Sequence, residues 1–79
     1  MWYVYIIKSI RFKYIYIGFT DNINRRIEEH NEGKCKATNP YKPFELISYV
    51  ALKNKNKAIK LERYLKTGSG SSFLRKRIF

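Results

Sequence analysis

Two short runs of aromatic and β-branched residues near the N-terminus constrain the fold of this chain more than any other feature. The runs are WYVYII at 2–7 and YIYIGF at 14–19. Such residues favour strands, and the basic stretch between the runs fits a hairpin loop. Because side chains alternate along a strand, Tyr5 and Tyr16 can lie on one face of the predicted hairpin.

The second run is followed by a segment that predicts a helix over 20–33. Ile23 and Ile27 are four residues apart, so we expect them to form its buried stripe. Arg26 and His30 have the same spacing and share a neighbouring stripe. The helix would therefore present a guanidinium and an imidazole side by side.

The remaining chain predicts one more strand, at 44–51, and a second helix at about 54–66. We expect the Gly- and Ser-rich segment 68–72 to break that helix before a short terminal helix at 73–77. With 79 residues there is room for one core, so residues 1–79 are predicted to form a single domain. The expected fold class is α+β, a three-stranded antiparallel sheet flanked by helices.

Charge indicates the partner. The chain has 17 Lys and Arg against 6 Asp and Glu, a formal net charge of +11. Such an excess is typical of proteins that bind nucleic acid, although it also suits anionic lipid or a merely soluble basic surface. The candidate nucleic-acid-binding residues are Arg25, Lys34, Lys36, Lys42, Lys66, Arg75, Lys76 and Arg77.

Several classes of protein are disfavoured. Cys35 is the only cysteine, so an internal disulfide and a Cys-rich zinc site are both excluded. No apolar run approaches 18 residues, and the N-terminus does not have the pattern of an export signal. We therefore expect a cytoplasmic protein without a membrane partner and without an obligate protein partner.

The spacing of four polar residues stands out. Tyr16 follows Tyr5 by eleven residues, Arg26 follows Tyr16 by ten, and His30 follows Arg26 by four. Each residue has a structural alternative: a strand tyrosine is usually a core residue, the arginine can pair with an acid of its own helix, and the histidine can favour the helix C-terminus. Together with a carboxylate, the two phenols, the guanidinium and the imidazole could form a site that cleaves a phosphodiester.

Glu62 is the other singular residue. It is the only acid in 46–79, among nine Lys and Arg. A carboxylate that faces a phosphate-binding surface repels the ligand unless it holds a cation. Because Glu62 lies four residues after Ala58, beside the apolar stripe, it could look inward toward the sheet. The alternative is a surface pair with Lys66, which would contribute about 0.2–0.5 kcal/mol.

The motifs Tyr3-Val4-Tyr5 and Tyr16-Ile17-Gly18, with Arg26, His30 and Glu62 beyond them, resemble those of the GIY-YIG nuclease family. The resemblance covers nearly the whole chain and is greatest for the small stand-alone bacterial members. It implies an enzyme, a divalent-metal-dependent endonuclease acting on DNA or a nuclease-like protein of DNA processing and repair.

The resemblance also implies a role for each residue. Tyr5, with His30, would take the proton from the attacking water, and Tyr16 would position that water or share the base role. Arg26 would steady the phosphoryl oxygens, and Glu62 would hold Mg²⁺ or Mn²⁺. A free tyrosine has a pKa of about 10, so we expect the site to lower the pKa of Tyr5 or to relay its proton to His30.

Two departures from the family pattern keep a second function open. Tyr3 stands where the first motif has glycine, and no asparagine follows Asn56, where many members carry one. The alternative function is a non-catalytic nucleic-acid-binding module that retains the fold. A third possibility, a partner-docking protein, would need an exposed apolar patch.

Overall fold

The two N-terminal apolar runs form the expected hairpin. In the computed structural model, which describes residues 1–77, strand β1 spans Trp2–Ser9 and strand β2 spans Ile15–Thr20. They pair antiparallel, with Tyr5 opposite Gly18 and Ile7 opposite Tyr16. Residues opposite each other in a sheet project to the same face, so this register places Tyr5 and Tyr16 together.

The third predicted strand completes the sheet. Strand β3, Phe44–Leu52, pairs antiparallel with β1, so the strand order is β2-β1-β3. The pairing of β1 with β3 shifts register between Ile6 and Ile7. The α+β class with a three-stranded antiparallel sheet is therefore confirmed, with β1 as the central strand.

Three α-helices accompany the sheet: α1 at Ile23–Asn31, α2 at Lys55–Leu65 and α3 at Gly68–Arg77. Asparagine side chains cap α1 and α2, because Asn22 accepts from the backbone N–H of Arg25 and Asn54 from that of Lys57. The loop before β3 contains one 3₁₀ turn, Asn39–Tyr41. Among residues 1–77, no helix is long and apolar enough to cross a membrane.

The prediction of a break at 68–72 was wrong, because this segment forms the first half of α3. The hydroxyl of Thr67 accepts from the backbone N–H of Gly70 at 3.2 Å, and the N–H of Ser71 donates to the Thr67 carbonyl at 2.9 Å. Gly70 is buried against the end of α2. The packing of α3 on α2 thus overrides the low helix propensity of glycine and serine.

The sheet separates two apolar clusters. One face packs against α2 and α3; its buried residues are Val4, Ile6, Ile17, Ala58, Leu65 and Leu74. The other face carries Tyr5, Ile7 and Phe44, with the half-buried Tyr16 and Ile27 beside them.

The buried stripe predicted for α1 also needs correction. Ile23 and Ile27 are only half-buried, whereas His30 is the one residue of α1 that is fully buried. The reason is that His30 finds hydrogen-bond partners in the cluster on the Tyr5 face. A polar residue from the stripe beside the isoleucines therefore occupies the centre of the contact between helix and sheet.

Candidate active site

Tyr5 and His30 form the centre of the site. Tyr5 projects from the central strand and is buried, and its hydroxyl lies 2.9 Å from Nε2 of His30 on α1. The Tyr16 ring completes the group, 6.4 Å from the Tyr5 ring and 5.1 Å from the His30 ring between centroids. Three of the residues expected from sequence are therefore in mutual contact.

Gly18 explains how the Tyr5 hydroxyl fits beside β2. A Cβ atom at this position would lie 2.5 Å from the Tyr5 hydroxyl oxygen and 2.7 Å from Cζ of the same ring. The second motif therefore requires glycine here because the phenol of the first motif lies directly against its backbone. A close approach of this kind accounts for a glycine within a strand.

The second nitrogen of His30 has a partner that the sequence analysis missed. Nδ1 lies 2.7 Å from the hydroxyl oxygen of Thr38, and Thr38 is fully buried. Thr38 belongs to the loop between α1 and β3 and has no regular spacing to the other site residues. The only sequence signal is indirect: a buried histidine needs a partner for each ring nitrogen.

Arg26 lies at the edge of this group. Its side chain is 32% exposed, and its Nη1 donates to Oε1 of Glu29 at 3.1 Å. Burial lowers the pKa of Arg26, but the Tyr5 phenol and the Glu29 carboxylate outweigh burial and raise that pKa overall. The ion pair anticipated as the structural alternative is thus present. The same guanidinium also acts to lower the pKa of Tyr5.

Burial determines the protonation of the two central groups. It raises the pKa of Tyr5 to about 12, although Arg26 acts in the opposite direction. It lowers the pKa of His30 to about 4, and the charge of Arg26 lowers it further. The expectation that the site lowers the pKa of Tyr5 is therefore wrong for the free protein, because desolvation exceeds the effect of Arg26. Both groups are therefore uncharged at neutral pH, and the unprotonated His30 is the group that could take a proton from Tyr5, although its low pKa makes it a weak base.

Glu62 is linked to Tyr16 indirectly, because Lys66 lies close to both residues. The Glu62 side chain is 16% exposed, and its Oε1 lies 3.3 Å from Nζ of Lys66 one helical turn later. That Nζ in turn lies 5.4 Å from the centroid of the Tyr16 ring. The pair with Lys66 foreseen as the structural alternative therefore exists, and Lys66 is the link between Glu62 and Tyr16.

The donors around Glu62 limit which metal the site could hold. Within residues 1–77, no group of three or more His, Cys, Asp or Glu side chains is arranged to bind a metal. A closed transition-metal site in this part of the chain is therefore excluded, since such sites need several N or S ligands. One carboxylate oxygen does suit Mg²⁺ or Mn²⁺, because hard cations take their other ligands from water and phosphate.

The predicted nucleic-acid-binding residues lie in different surroundings. Lys66 and Arg75 line one groove beside β2, with a volume of about 500 Å³. Arg25 and Lys34 pair on the surface with Asp21 at 2.8 Å and Glu32 at 3.4 Å. Lys42 is half-buried and donates to the Asn39 side chain, whereas the rest of the set is exposed, namely Lys36, Lys76 and Arg77. The basic groups nearest Tyr16 are therefore those of the Lys66 groove.

Comparison with known proteins identifies the family. The model of the GIY-YIG catalytic domain matches residues 1–77. The chain belongs to the GIY-YIG family. The matched residues include both motifs and all of the described fold. Membership of the family supports a nuclease-type function with a nucleic acid as substrate.

Relatives of this GIY-YIG domain occur among UPF0213 proteins. One from Clostridium perfringens is 37% identical over 65 residues, which are 81% of this chain and 69% of the relative. One from Staphylococcus haemolyticus is 37% identical over 68 residues, which are 85% of this chain and 82% of the relative. The solution structure of a UPF0213 protein from Bacillus halodurans matches with a TM-score of 0.57 and 31% identity, over 96% of this chain and 84% of that one. The fold is therefore shared with a solved relative, whereas the relatives' names state no activity.

Proposed function

We propose that this domain is a divalent-metal-dependent endonuclease that hydrolyses phosphodiester bonds in DNA. The observation that carries the proposal is the 2.9 Å contact between the Tyr5 hydroxyl and His30 Nε2, with Arg26 acting on the same phenol. A phenol that is hydrogen-bonded to a neutral imidazole can accept a proton from water while it passes its own proton to the imidazole. In a chain of the GIY-YIG family, this arrangement supports hydrolysis more than binding alone.

The accessible part of the site receives the phosphate. Tyr5 and His30 are buried, whereas Arg26 and Tyr16 are half-buried and reach the surface. The Arg26 guanidinium stays charged at any working pH and offers N–H donors to the phosphoryl oxygens. The Tyr16 ring lies beside both the His30 ring and Nζ of Lys66, and we assign to its hydroxyl the positioning of the attacking water.

Proton transfer then follows the hydrogen bonds. As the water oxygen bonds to phosphorus, the water proton passes to the Tyr5 oxygen and the Tyr5 proton passes to Nε2 of His30. The P–O3′ bond breaks, the 3′ oxygen takes a proton from solvent, and His30 then releases its proton to solvent, which restores the site. Tyr5 is neutral before and after the step, so its high pKa is no obstacle. Burial is the main cause of the low pKa of His30 and the Arg26 charge is the second; a phosphate at Arg26 offsets the second cause, which makes the imidazole a better base.

Glu62 is the residue that would hold the ion. A bound Mg²⁺ or Mn²⁺ supplies charge compensation for the phosphoryl oxygens and the leaving oxygen. Glu62 offers a partly exposed carboxylate whose present partner, Lys66, is a single flexible cation. Within residues 1–77 the partner of this carboxylate is Lys66, so an ion would take the place of the lysine.

Glu62→Gln tests the proposal. We expect this variant to fold and to bind DNA at least as well as the parent, because it removes a negative charge from a positive field. Nicking of supercoiled DNA in Mg²⁺ or Mn²⁺ should disappear, since a neutral amide is a poor ligand for a hard cation. Glu45→Gln is the matched control: Glu45 is exposed on β3, and its loss changes the charge equally. This control should nick like the parent.

The same preparations distinguish the nuclease from the alternative function. A non-catalytic binding module is favoured by the pair of Glu62 with Lys66, which gives the carboxylate a structural role. Such a module would shift DNA in a gel but would not nick it with any metal, and EDTA would change nothing. Unchanged nicking in Glu62→Gln would instead refute the metal assignment while leaving the nuclease activity in place.

A further inference from the structure

Thr38 is held rigidly beside His30. It is fully buried in the loop between α1 and β3, with Oγ1 at 2.7 Å from His30 Nδ1. Its own backbone N–H donates to the Cys35 carbonyl at 3.2 Å, and its carbonyl accepts from the backbone N–H of Tyr41 at 2.9 Å. The hydroxyl therefore has a fixed position at Nδ1, the ring nitrogen of His30 that does not contact Tyr5.

The partners of this hydroxyl indicate which nitrogen of His30 carries the proton. The Cys35 carbonyl lies 3.4 Å from the Thr38 oxygen and offers an acceptor for the hydroxyl proton, so that oxygen can accept from Nδ1–H of His30 at 2.7 Å. A neutral imidazole has one N–H, so Nε2 then carries a lone pair and accepts from the Tyr5 hydroxyl. In the other tautomer, an Nε2–H would point at Tyr5 and the phenolic proton would lose this acceptor.

We propose that Thr38 is a positioning residue that holds His30 in the Nδ1–H tautomer, so that Nε2 is free to take the proton of Tyr5. The part of this inference that concerns nicking rests on the proposed function. The part that concerns the tautomer does not, because it follows from the hydrogen bonds of the free protein. Partners of this kind fix the tautomer and orientation of functional histidines in general.

The tautomer can be measured in the parent protein. His30 is the only histidine in the chain, so the imidazole signals in a two-bond ¹H–¹⁵N correlation spectrum are unambiguous. At pH 7 we expect the protonated type of ¹⁵N shift at Nδ1 and the unprotonated type at Nε2. The reverse assignment, or an even mixture, would overturn the inference without any variant.

Two substitutions test the cause. Thr38→Val keeps the shape of the side chain but removes the acceptor, so we expect signal from the Nε2–H tautomer to appear. Thr38→Ser keeps the hydroxyl and should retain the Nδ1–H tautomer. Thr20→Val is the matched control, because Thr20 is also buried but bonds to the backbone of Asn22. A Thr38→Val protein that keeps the parent tautomer would overturn the role of the hydroxyl.

Nicking supplies the second readout. If Tyr5 passes its proton to Nε2, Thr38→Val should lower kcat by about tenfold to a hundredfold with little change in KM, and Thr38→Ser should restore it. A loss in Thr38→Val equal to that in Thr20→Val would show a structural effect only and would overturn the positioning role. A parent that shows the Nδ1–H tautomer but never nicks DNA would refute the proposed function and leave the tautomer assignment standing.

Discussion

At the scale of single residues, His30 is the most constrained group of the site. It is fully buried, and both of its ring nitrogens have partners at hydrogen-bond distance. The groups that face it are Tyr5 and Tyr16 from the sheet, Arg26 and Glu29 from its own helix, and Thr38 from the loop. Burial is the largest cause of the lowered pKa of His30, and the charge of Arg26 is the second. Glu29 acts in the opposite direction and raises that pKa.

This environment predicts that stability depends on pH. The pKa of His30 falls from 6.5 to about 4 on folding, so the unfolded chain binds the proton more readily. The stabilisation is complete above pH 6.5 and is lost as pH falls toward 4. We expect the free energy of unfolding to drop by about 1–2 kcal/mol between roughly pH 7 and 5, allowing for solvent screening. Urea denaturation at several pH values measures this slope.

His30→Gln is the control for the pH experiment. This variant removes the only histidine, and ordinary carboxylates titrate mainly below the chosen window. Its stability should therefore change little between the same pH values, even if it is lower throughout. An equal slope in parent and variant would mean that another group binds the proton and that His30 is not held neutral by the fold.

At the scale of elements, the junction between α2 and α3 depends on one glycine. Gly70 is buried in α3, and a Cβ atom there would lie against the Tyr64 carbonyl and 2.5 Å from Cα of Leu65. Both neighbours are backbone atoms of α2, which cannot move aside as a side chain would. The same helix begins at Gly68, where a Cβ atom would meet nothing within 4 Å. Position 70 of the helix therefore has no room for a side chain, whereas position 68 does.

We therefore predict opposite effects of two alanine substitutions. Gly70→Ala should destabilise the domain by about 1–3 kcal/mol, because the gain in helix propensity is smaller than the cost of overpacking. Gly68→Ala should leave stability unchanged or raise it by up to about 1 kcal/mol. Thermal unfolding compares them, at roughly 4–8 °C in Tm per kcal/mol for a domain of this size. Equal Tm values for the two variants would show that α3 is not packed closely on α2.

At the scale of the whole molecule, the charges are unevenly distributed. Four of the six acids lie in or next to α1, namely Asp21, Glu28, Glu29 and Glu32. The chain from residue 46 onward has nine Lys and Arg and one acid, Glu62. The groove with Lys66 and Arg75 connects this basic part with Tyr16. A phosphate backbone that enters the site would therefore also meet α3.

This distribution predicts salt-sensitive DNA binding in which the end of α3 contributes strongly. If about three phosphates are contacted, affinity should fall by at least tenfold between roughly 50 and 200 mM salt. Replacing Arg75, Lys76 and Arg77 together with Ala should weaken binding to all sequences alike and reduce the salt slope. Fluorescence anisotropy with labelled duplexes over a salt series measures both quantities.

A second triple variant provides the charge-matched control. Lys53 precedes α2, and Lys57 and Lys60 lie within it; all three are exposed, and their replacement removes the same charge. We expect a smaller loss of affinity for this variant, because the first triple variant removes Arg75, which lines the Lys66 groove, whereas none of these three lysines lines it. An equal or larger loss would place the nucleic acid on α2 instead, and an affinity independent of salt would contradict binding led by phosphates.

The sequence by itself determined the parts of this protein that depend on local pattern. Strand alternation and the hairpin established that Tyr5 and Tyr16 share a face, and the spacing of Arg26 and His30 within one helix is also a local property. Gly18 belongs to the second motif, but the structure is what shows that the Tyr5 ring leaves no room there for a Cβ atom. Net charge needs no structure at all.

Only the tertiary structure decided the properties that depend on burial and on contacts between distant segments. Thr38 meets His30 because a loop without periodicity folds over α1, and the Gly- and Ser-rich segment becomes helical because it packs on α2. The pKa of Tyr5 rises because desolvation outweighs Arg26, a balance set by depth within the fold. Residue type and spacing therefore name the groups of the site, whereas burial and long-range contacts decide their protonation and partners.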